Sequence, residues 1–292
     1  MPKGQAEILG ISRQLLPAYL ASGDLRSASQ ILIELNSVLE ARDALGPAQA
    51  AEAQEIFAEL SDPGVLNQLL KSLEDGAIDP AGDELAIFLR YLKPVALAPL
   101  IRAVETTRIA ELQLRLRAAI EGLGRAHPQI LTELLKSDDE TVVVGAARLV
   151  GQVGLAPAVA QMAGLLKHPS GAVRRAVVEA LVQIKSGAAL DALQSALEDA
   201  EREVRIAAAR GLGTLRYQPA RSRLEQVLQG KIVRDADLTE KIAFFEAFGA
   251  VANAESVAML DKLLNGKSLF RKESPELRAC AAMALGKDGS PA

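Results

Sequence analysis

A ten-residue helical phrase recurs along this chain at intervals that leave few folds open to it. Two clear copies, Val173 to Val182 and Val204 to Gly213, begin 31 residues apart, and a third, Val142 to Gly151, begins 31 residues earlier. Looser copies run from Arg115 to Gly124, from Glu240 to Gly249 and from Leu277 to Gly286, making six aligned units. The fourth column reads Ala118, Gly145, Ala176, Ala207, Ala243, Cys280, and the fifth Ala119, Ala146, Val177, Ala208, Phe244, Ala281. Small residues dominate both. The ninth reads Leu123, Val150, Leu181, Leu212, Phe248, Leu285; the tenth reads Gly124, Gly151, Val182, Gly213, Gly249, Gly286. Positions one, four, five, eight and nine share one arc of a 3.6-residue helix, which predicts a helix with a small, close-packing buried face. Such a face needs neighbours. A repeat of this length built from two helices predicts an all-α solenoid of stacked antiparallel helix pairs with no β-sheet.

The second helix of each pair shows in Leu97, Leu100, Ile101, Val104; in Ile130, Leu131, Leu134, Leu135; in Leu190, Leu193, Leu197; and in Val257, Leu260, Leu263, Leu264. These follow i, i+3, i+4, i+7 spacing in whole or part. Turn signals separate the helices at His127-Pro128, from Lys167 to Gly171, at Lys185-Ser186-Gly187 and at Tyr217-Gln218-Pro219. Upstream, Val65 to Asp75 and Asp83 to Leu92 form a divergent pair expected to begin the array. Residues 1–62 carry no copy of the phrase and read as helices near 4–21, 24–43 and 47–60, an atypical segment or cap before a solenoid over 63–292. Because a loop over 287–292 follows the last phrase with no polar cap behind it, the array is expected to be truncated there.

Composition narrows the partners. The chain is 49% hydrophobic and 24% charged, as folded chains are, and at 3% aromatic its core must be built from Ala, Leu, Val and Ile. With 33 Lys plus Arg against 37 Asp plus Glu, the net charge of −4 supplies no bulk attraction to nucleic acid or anionic membrane. No apolar run reaches membrane-spanning length and the start lacks a signal peptide's apolar core. The single cysteine, Cys280, excludes an intramolecular disulfide and fits a reducing, cytoplasmic setting; its place in the small-residue column predicts a buried thiol.

The phrases VRRAVVEALVQI from Val173 and VRIAAARGLGTL from Val204, each after a short acidic or polar turn, resemble the HEAT repeats, especially the short bacterial HEAT-like kind found in phycobilin lyases. The resemblance covers about residues 63 to 289 and implies a right-handed superhelix that serves as a protein-binding scaffold. It also implies an Asp in the turn within a repeat paired with a basic residue six positions on. Asp199 and Arg205 have that spacing, whereas His168 precedes Arg174 and Lys272 precedes Arg278.

Three sequence patterns with a chemical look reduce to structure. Asn265-Gly266-Lys267-Ser268 resembles the end of a phosphate-binding loop, but Asp261 stands where the first glycine belongs and no strand precedes it. Gly122-Leu123-Gly124 and Gly211-Leu212-Gly213 close helices instead of opening them after strands, which points to close packing and helix termination. His127 and His168, both directly before proline, assemble neither a metal cluster nor a Ser-His-Asp array. No cofactor, metal or catalytic residue is expected.

The candidate site is the outward ridge at positions three, seven and eleven of each phrase, spaced i, i+4, i+8. It reads Arg117, Glu121, Arg125; Val144, Arg148, Gln152; Arg175, Glu179, Gln183; Ile206, Arg210, Thr214; and Ile242, Glu246, Ala250. If the family pattern holds, that face is concave. Arg117 with Glu121, Glu121 with Arg125 and Arg175 with Glu179 could each be ordinary surface pairs, worth only about 0.3–0.5 kcal/mol. The functional reading is a noncatalytic groove for a peptide or protein, with Arg117, Glu121, Arg148, Gln152, Arg175, Glu179, Arg210 and Glu246 as contacts beside exposed Val144, Ile206 and Ile242. Two alternatives come from resemblance. A chromophore lyase or its regulatory subunit would draw on Tyr91, Tyr217, Phe244 and Phe245, which are dispersed, and a HEAT-like DNA glycosylase would need positive charge and stacking aromatics that an acidic chain without Trp lacks.

Overall fold

Several helices of this chain start where a short polar side chain takes an orphan backbone N–H. Asp24, Ser186, Asp237 and Ser274 accept from the N–H three residues on, and Asp62 from that of Gly64. The structure is a computed structural model, and it describes residues 2–41, 45–265 and 274–286, with side chains from residue 9 on. The end of the helix expected over 24–43, the Gly266-Lys267-Ser268 run, Lys272 and the 287–292 loop lie outside the described residues.

Two compact units are present, Met1–Leu149 and Val150–Ala292. The first contains α1 (Pro2–Ser22), α2 (Leu25–Glu40), α3 (Pro47–Leu60), α4 (Pro63–Glu74), α5 (Glu84–Arg90), α6 (Leu97–Thr106), α7 (Ala110–Ala126), α8 (Pro128–Leu134) and most of α9 (Glu140–Val153). The second contains α10 (Val159–Leu165), α11 (Gly171–Ile184), α12 (Gly187–Leu193) prolonged by a 3-10 turn over Gln194–Glu198, α13 (Arg202–Thr214), α14 (Arg221–Gln229), α15 (Lys231–Asp235), α16 (Leu238–Ala250), α17 (Ala254–Asn265) and α18 (Pro275–Leu285). No β-strand occurs among the described residues. The fold is an all-α solenoid of stacked helix pairs, and the six phrases are α7, α9, α11, α13, α16 and α18.

Within the second unit α11, α13, α16 and α18 stack in chain order, with α10, α12, α14 and α17 as the companion layer. Within the first, α2, α5 and α7 form the corresponding row, and α4 and α6 pack in the other layer. Leu16, Leu66, Leu97, Leu100 and Leu116 of the first core are fully buried, as are Val173, Val177, Leu181, Leu197 and Leu212 of the second.

The glycine column has one job. A Cβ on Gly151 would lie 2.7 Å from the Ala180 Cα, and one on Gly213 would lie 2.6 Å from the Ala247 Cα. Gly249 meets Ala284 in the same way, and Gly124 meets the Leu149 side chain. Each tenth-position residue therefore seats on the eighth-position residue of the next phrase. Val182, the exception in the column, sits against Gly211, so the small partner has moved to the other helix. The expected role in close packing holds; the expected role in helix termination does not. Helices α9, α11 and α13 run on to Val153, Ile184 and Thr214, and the left-handed residues Gly154, Lys185 and Arg216, with φ of 68°, 56° and 48°, follow them.

Although aromatics are few, the core is not purely aliphatic. Phe57, Phe88, Phe244, Phe245 and Phe248 are all buried. Three of them stand on α16, where the phrase interval lengthens from 31 to 36 residues and the extra helix α15 inserts with Val233 buried. Cys280 is buried in its small-residue column, as expected, and that burial pushes its thiol pKa up.

Candidate functional site: an exposed ridge above a buried ladder

The ridge is narrower than its spacing predicts. At position seven Arg148 and Arg210 are exposed and Glu121, Glu179 and Glu246 half-buried; at position eleven Arg125, Gln152, Gln183 and Thr214 are exposed. Position three divides. Arg117 and Arg175 are exposed, but Val144 and Ile206 are buried at 8% and 4% exposure, and Ile242 is half-buried. Those aliphatic groups are therefore not surface anchors. The reason is angular: at 3.6 residues per turn position three lies about 20° from position ten, whose residue is pressed against the next helix. An aliphatic chain there is covered by the same neighbour.

Ion pairing sorts the ridge further. In the first unit Arg125 donates to Glu121 at 2.7 Å, so the expected Arg117–Glu121 pair does not form, and Arg148 pairs with Glu105 of α6. In the second, Arg175 pairs with Glu179 at 3.0 Å. Arg117 and Arg210 have no ion-pair partner among the described residues.

Beneath the ridge of the second unit runs a ladder at position two. The guanidinium of Arg174 donates in bidentate fashion to Asp199 at 2.7 and 2.8 Å, and also to the carbonyls of His168 and Pro169 at 2.8 and 3.0 Å. Arg205 repeats this one unit on, donating to Glu240 and to the carbonyls of Asp199 and Ala200 at 2.8 and 3.1 Å. Lys241 continues it with Glu276 at 3.2 Å. The spacing of six read from family resemblance is thus real, but its acceptor is a backbone carbonyl and the carboxylate comes from the following turn. Hence His168 serves at its position as well as an Asp does. Burial alone would raise the Asp199 pKa, yet the Arg174 hydrogen bonds and the Glu201 N–H outweigh it and hold the carboxyl below the usual range. The Glu240 carboxylate in turn holds the Arg205 guanidinium more firmly protonated. This ladder stitches turn to turn. The signal for it was present: basic residues follow the first phrase position in four consecutive copies, at Arg174, Arg205, Lys241 and Arg278.

Elsewhere the chemistry is occupied by structure. His168 accepts from the Ser170 N–H at 3.1 Å, Tyr217 donates to Asp191 at 2.8 Å, and Phe244 and Phe245 are sealed in the core. No group of three metal-ligating side chains occurs among the described residues, and no described helix is long and apolar enough to cross a membrane.

One family comparison agrees with this architecture. The profile of the HEAT repeats matches residues 161–237. Among solved structures, the chain is similar to the complex of CpcE and CpcF of phycocyanin lyase from Nostoc sp. PCC7120, with 23% identity, TM-score 0.44 and coverage of 56% of this chain. The match spans 65% of that chain, slightly less than two thirds. It is also similar to human deoxyhypusine hydroxylase, with 16% identity, TM-score 0.37 and 99% of both chains covered. An engineered protein matches with 18% identity, TM-score 0.37 and coverage of 96% of this chain and 84% of its own. No curated protein sequence matches at a significant level.

Proposed function

We propose that this HEAT-like repeat chain is a noncatalytic scaffold that binds another protein through the ridge residues Arg117, Glu121 and Arg148 of the first unit and Gln152, Arg175, Glu179, Arg210 and Glu246 of the second. Residues 1–62 are in this reading an atypical segment or cap before the solenoid. The observation that carries the reading is Arg210, exposed at position seven and without a carboxylate partner among the described residues, directly above a ladder whose basic groups are all satisfied. An exposed guanidinium on a rigid, regularly spaced helix loses little conformational freedom when it meets a partner's carboxylate.

The test is charge reversal. Arg117→Glu with Arg210→Glu is expected to abolish capture of partners from a native extract while helicity and melting temperature stay within error of the parent. Capture of the same proteins by the reversed chain would overturn the reading, and a lowered melting temperature would assign both arginines to stability instead.

A further inference from the structure

The first unit holds a cleft of about 670 Å³ whose position follows from one short helix. Helix α5 has 7 residues, whereas α7, the next in its row, has 17. In every later phrase the eighth-position residue is met by the tenth-position residue of the helix before it. In α7 the eighth position is Gly122, and a Cβ built there would meet nothing within 4 Å. Helix α5 ends at Arg90 without reaching it, so Ala118, Gly122 and Ala126, spaced i, i+4, i+8, lie exposed as the cleft floor.

The cleft walls have one sign of charge. Arg90 ends α5 and Lys93 stands on the turn after it, Arg115 and His127 are on α7 and at its end, and no Asp or Glu lines the space. Arg115 is engaged by Glu111 at 2.5 Å and by the Gly82 carbonyl at 3.1 Å. Arg90 and Lys93 have no carboxylate partner among the described residues. The Lys93 ammonium donates to the Gln54 side chain at 2.6 Å and lies 5.2 Å from the Phe57 ring centroid, and burial pushes its pKa down. An ammonium in that setting gains from an arriving carboxylate. The contrast is with Arg102, Arg148, Arg174 and Arg205, each already matched to an acid.

We propose that this cleft seats one or two helical turns of a protein partner, with a small residue facing Gly122 and an acidic side chain between Arg90 and Lys93. A helix is the committed occupant because the open seat is the one a helix fills in each later repeat, and small residues on both sides permit the close approach. The acidic character follows from charge complementarity. The inference rests on the scaffold reading and gives it a second, chemically defined contact.

The test uses the full chain and two fluorescent, hydrocarbon-stapled alanine-rich helices, one with glutamates at i and i+4, the other with lysines there. By fluorescence polarisation the acidic helix is expected to bind the parent, with affinity at least about tenfold lower for Gly122→Leu and for the Arg90→Glu, Lys93→Glu pair. Binding of the lysine helix is expected to be absent. Because the Gly122 position is open, Gly122→Leu should melt no lower than the parent. Undiminished binding to Gly122→Leu would overturn the proposal, as would no binding of the acidic helix to the parent. Equal occupancy by inorganic phosphate or polyuridylate in its place would also overturn it. Arg210→Glu separates the two readings. If it abolishes partner capture while Gly122→Leu affects neither capture nor the acidic helix, the seat fails and the scaffold stands; if the acidic helix binds as expected but Arg210→Glu leaves capture intact, the ridge fails and the seat stands.

Discussion

In the second unit the row helices α11, α13, α16 and α18 run 14, 13, 13 and 11 residues, and each reaches the next across a small-residue seat. In the first unit the same kind of row contains α5 at 7 residues, and the seat it fails to reach is open. The ion pairs differ in parallel. Arg174 and Asp199 in the second unit have side chains only 10% and 7% exposed, while Arg102 and Asp139 in the first are 44% and 33% exposed. Repetition closes a surface, and a lapse in repetition leaves one open.

The buried and exposed pairs provide the widest separation. Arg174→Met leaves Asp199 and two carbonyls without their donor and should cost about 3–5 kcal/mol, whereas Arg102→Met should cost less than about 1 kcal/mol. Urea denaturation of the two variants checks this, and equal costs would erase the distinction between the units. The same pair sets an acid limb. Since the folded Asp199 carboxyl titrates below its unfolded value of about 3.9, its contribution is complete above that pH and is lost as pH falls through the folded value. Denaturation followed downward from neutrality should show a shallower acid limb in Arg174→Met.

Glycine substitutions sharpen the contrast between closed and open seats. Gly213→Ala drives a methyl into the Ala247 backbone and should destabilise by about 1–3 kcal/mol. Gly122→Ala should stabilise by about 0.5–1 kcal/mol, the helix-propensity difference, because nothing opposes the added methyl. Thermal melting decides between them, and a loss at Gly122 would mean the seat is filled. The inverted contact supplies a double-mutant cycle. Gly211→Ala should be destabilising alone and largely relieved by Val182→Ala, with a coupling of about 0.5–3 kcal/mol.

The smallest expected effect lies at the helix exits. Lys185 carries a positive φ that its Cβ disfavours, so Lys185→Gly should gain up to about 1 kcal/mol, while Gly154→Ala, one unit upstream, should lose a similar amount. Calorimetric scans of both test whether these equivalent turns share one backbone conformation in solution.

What the sequence determined by itself was everything that follows from the order of residues along one helix. The 31-residue interval, the small columns at Ala176 and Ala208 and the turn at Lys185 were all legible, because helical period and turn formation act over a few neighbouring residues. The outward direction of position seven was legible for the same reason, since the outward side of a helix is fixed by its inward one. What needed the tertiary structure was every property set by the neighbouring helix. Ile206 is covered and Arg175 is not, although both hold position three of their phrase. Asp199 takes its guanidinium from Arg174 of the preceding repeat, and Gly122 lies open because a helix elsewhere in the chain ends early. Proximity between repeats depends on helix lengths and crossing geometry, which no single repeat carries in its own residues.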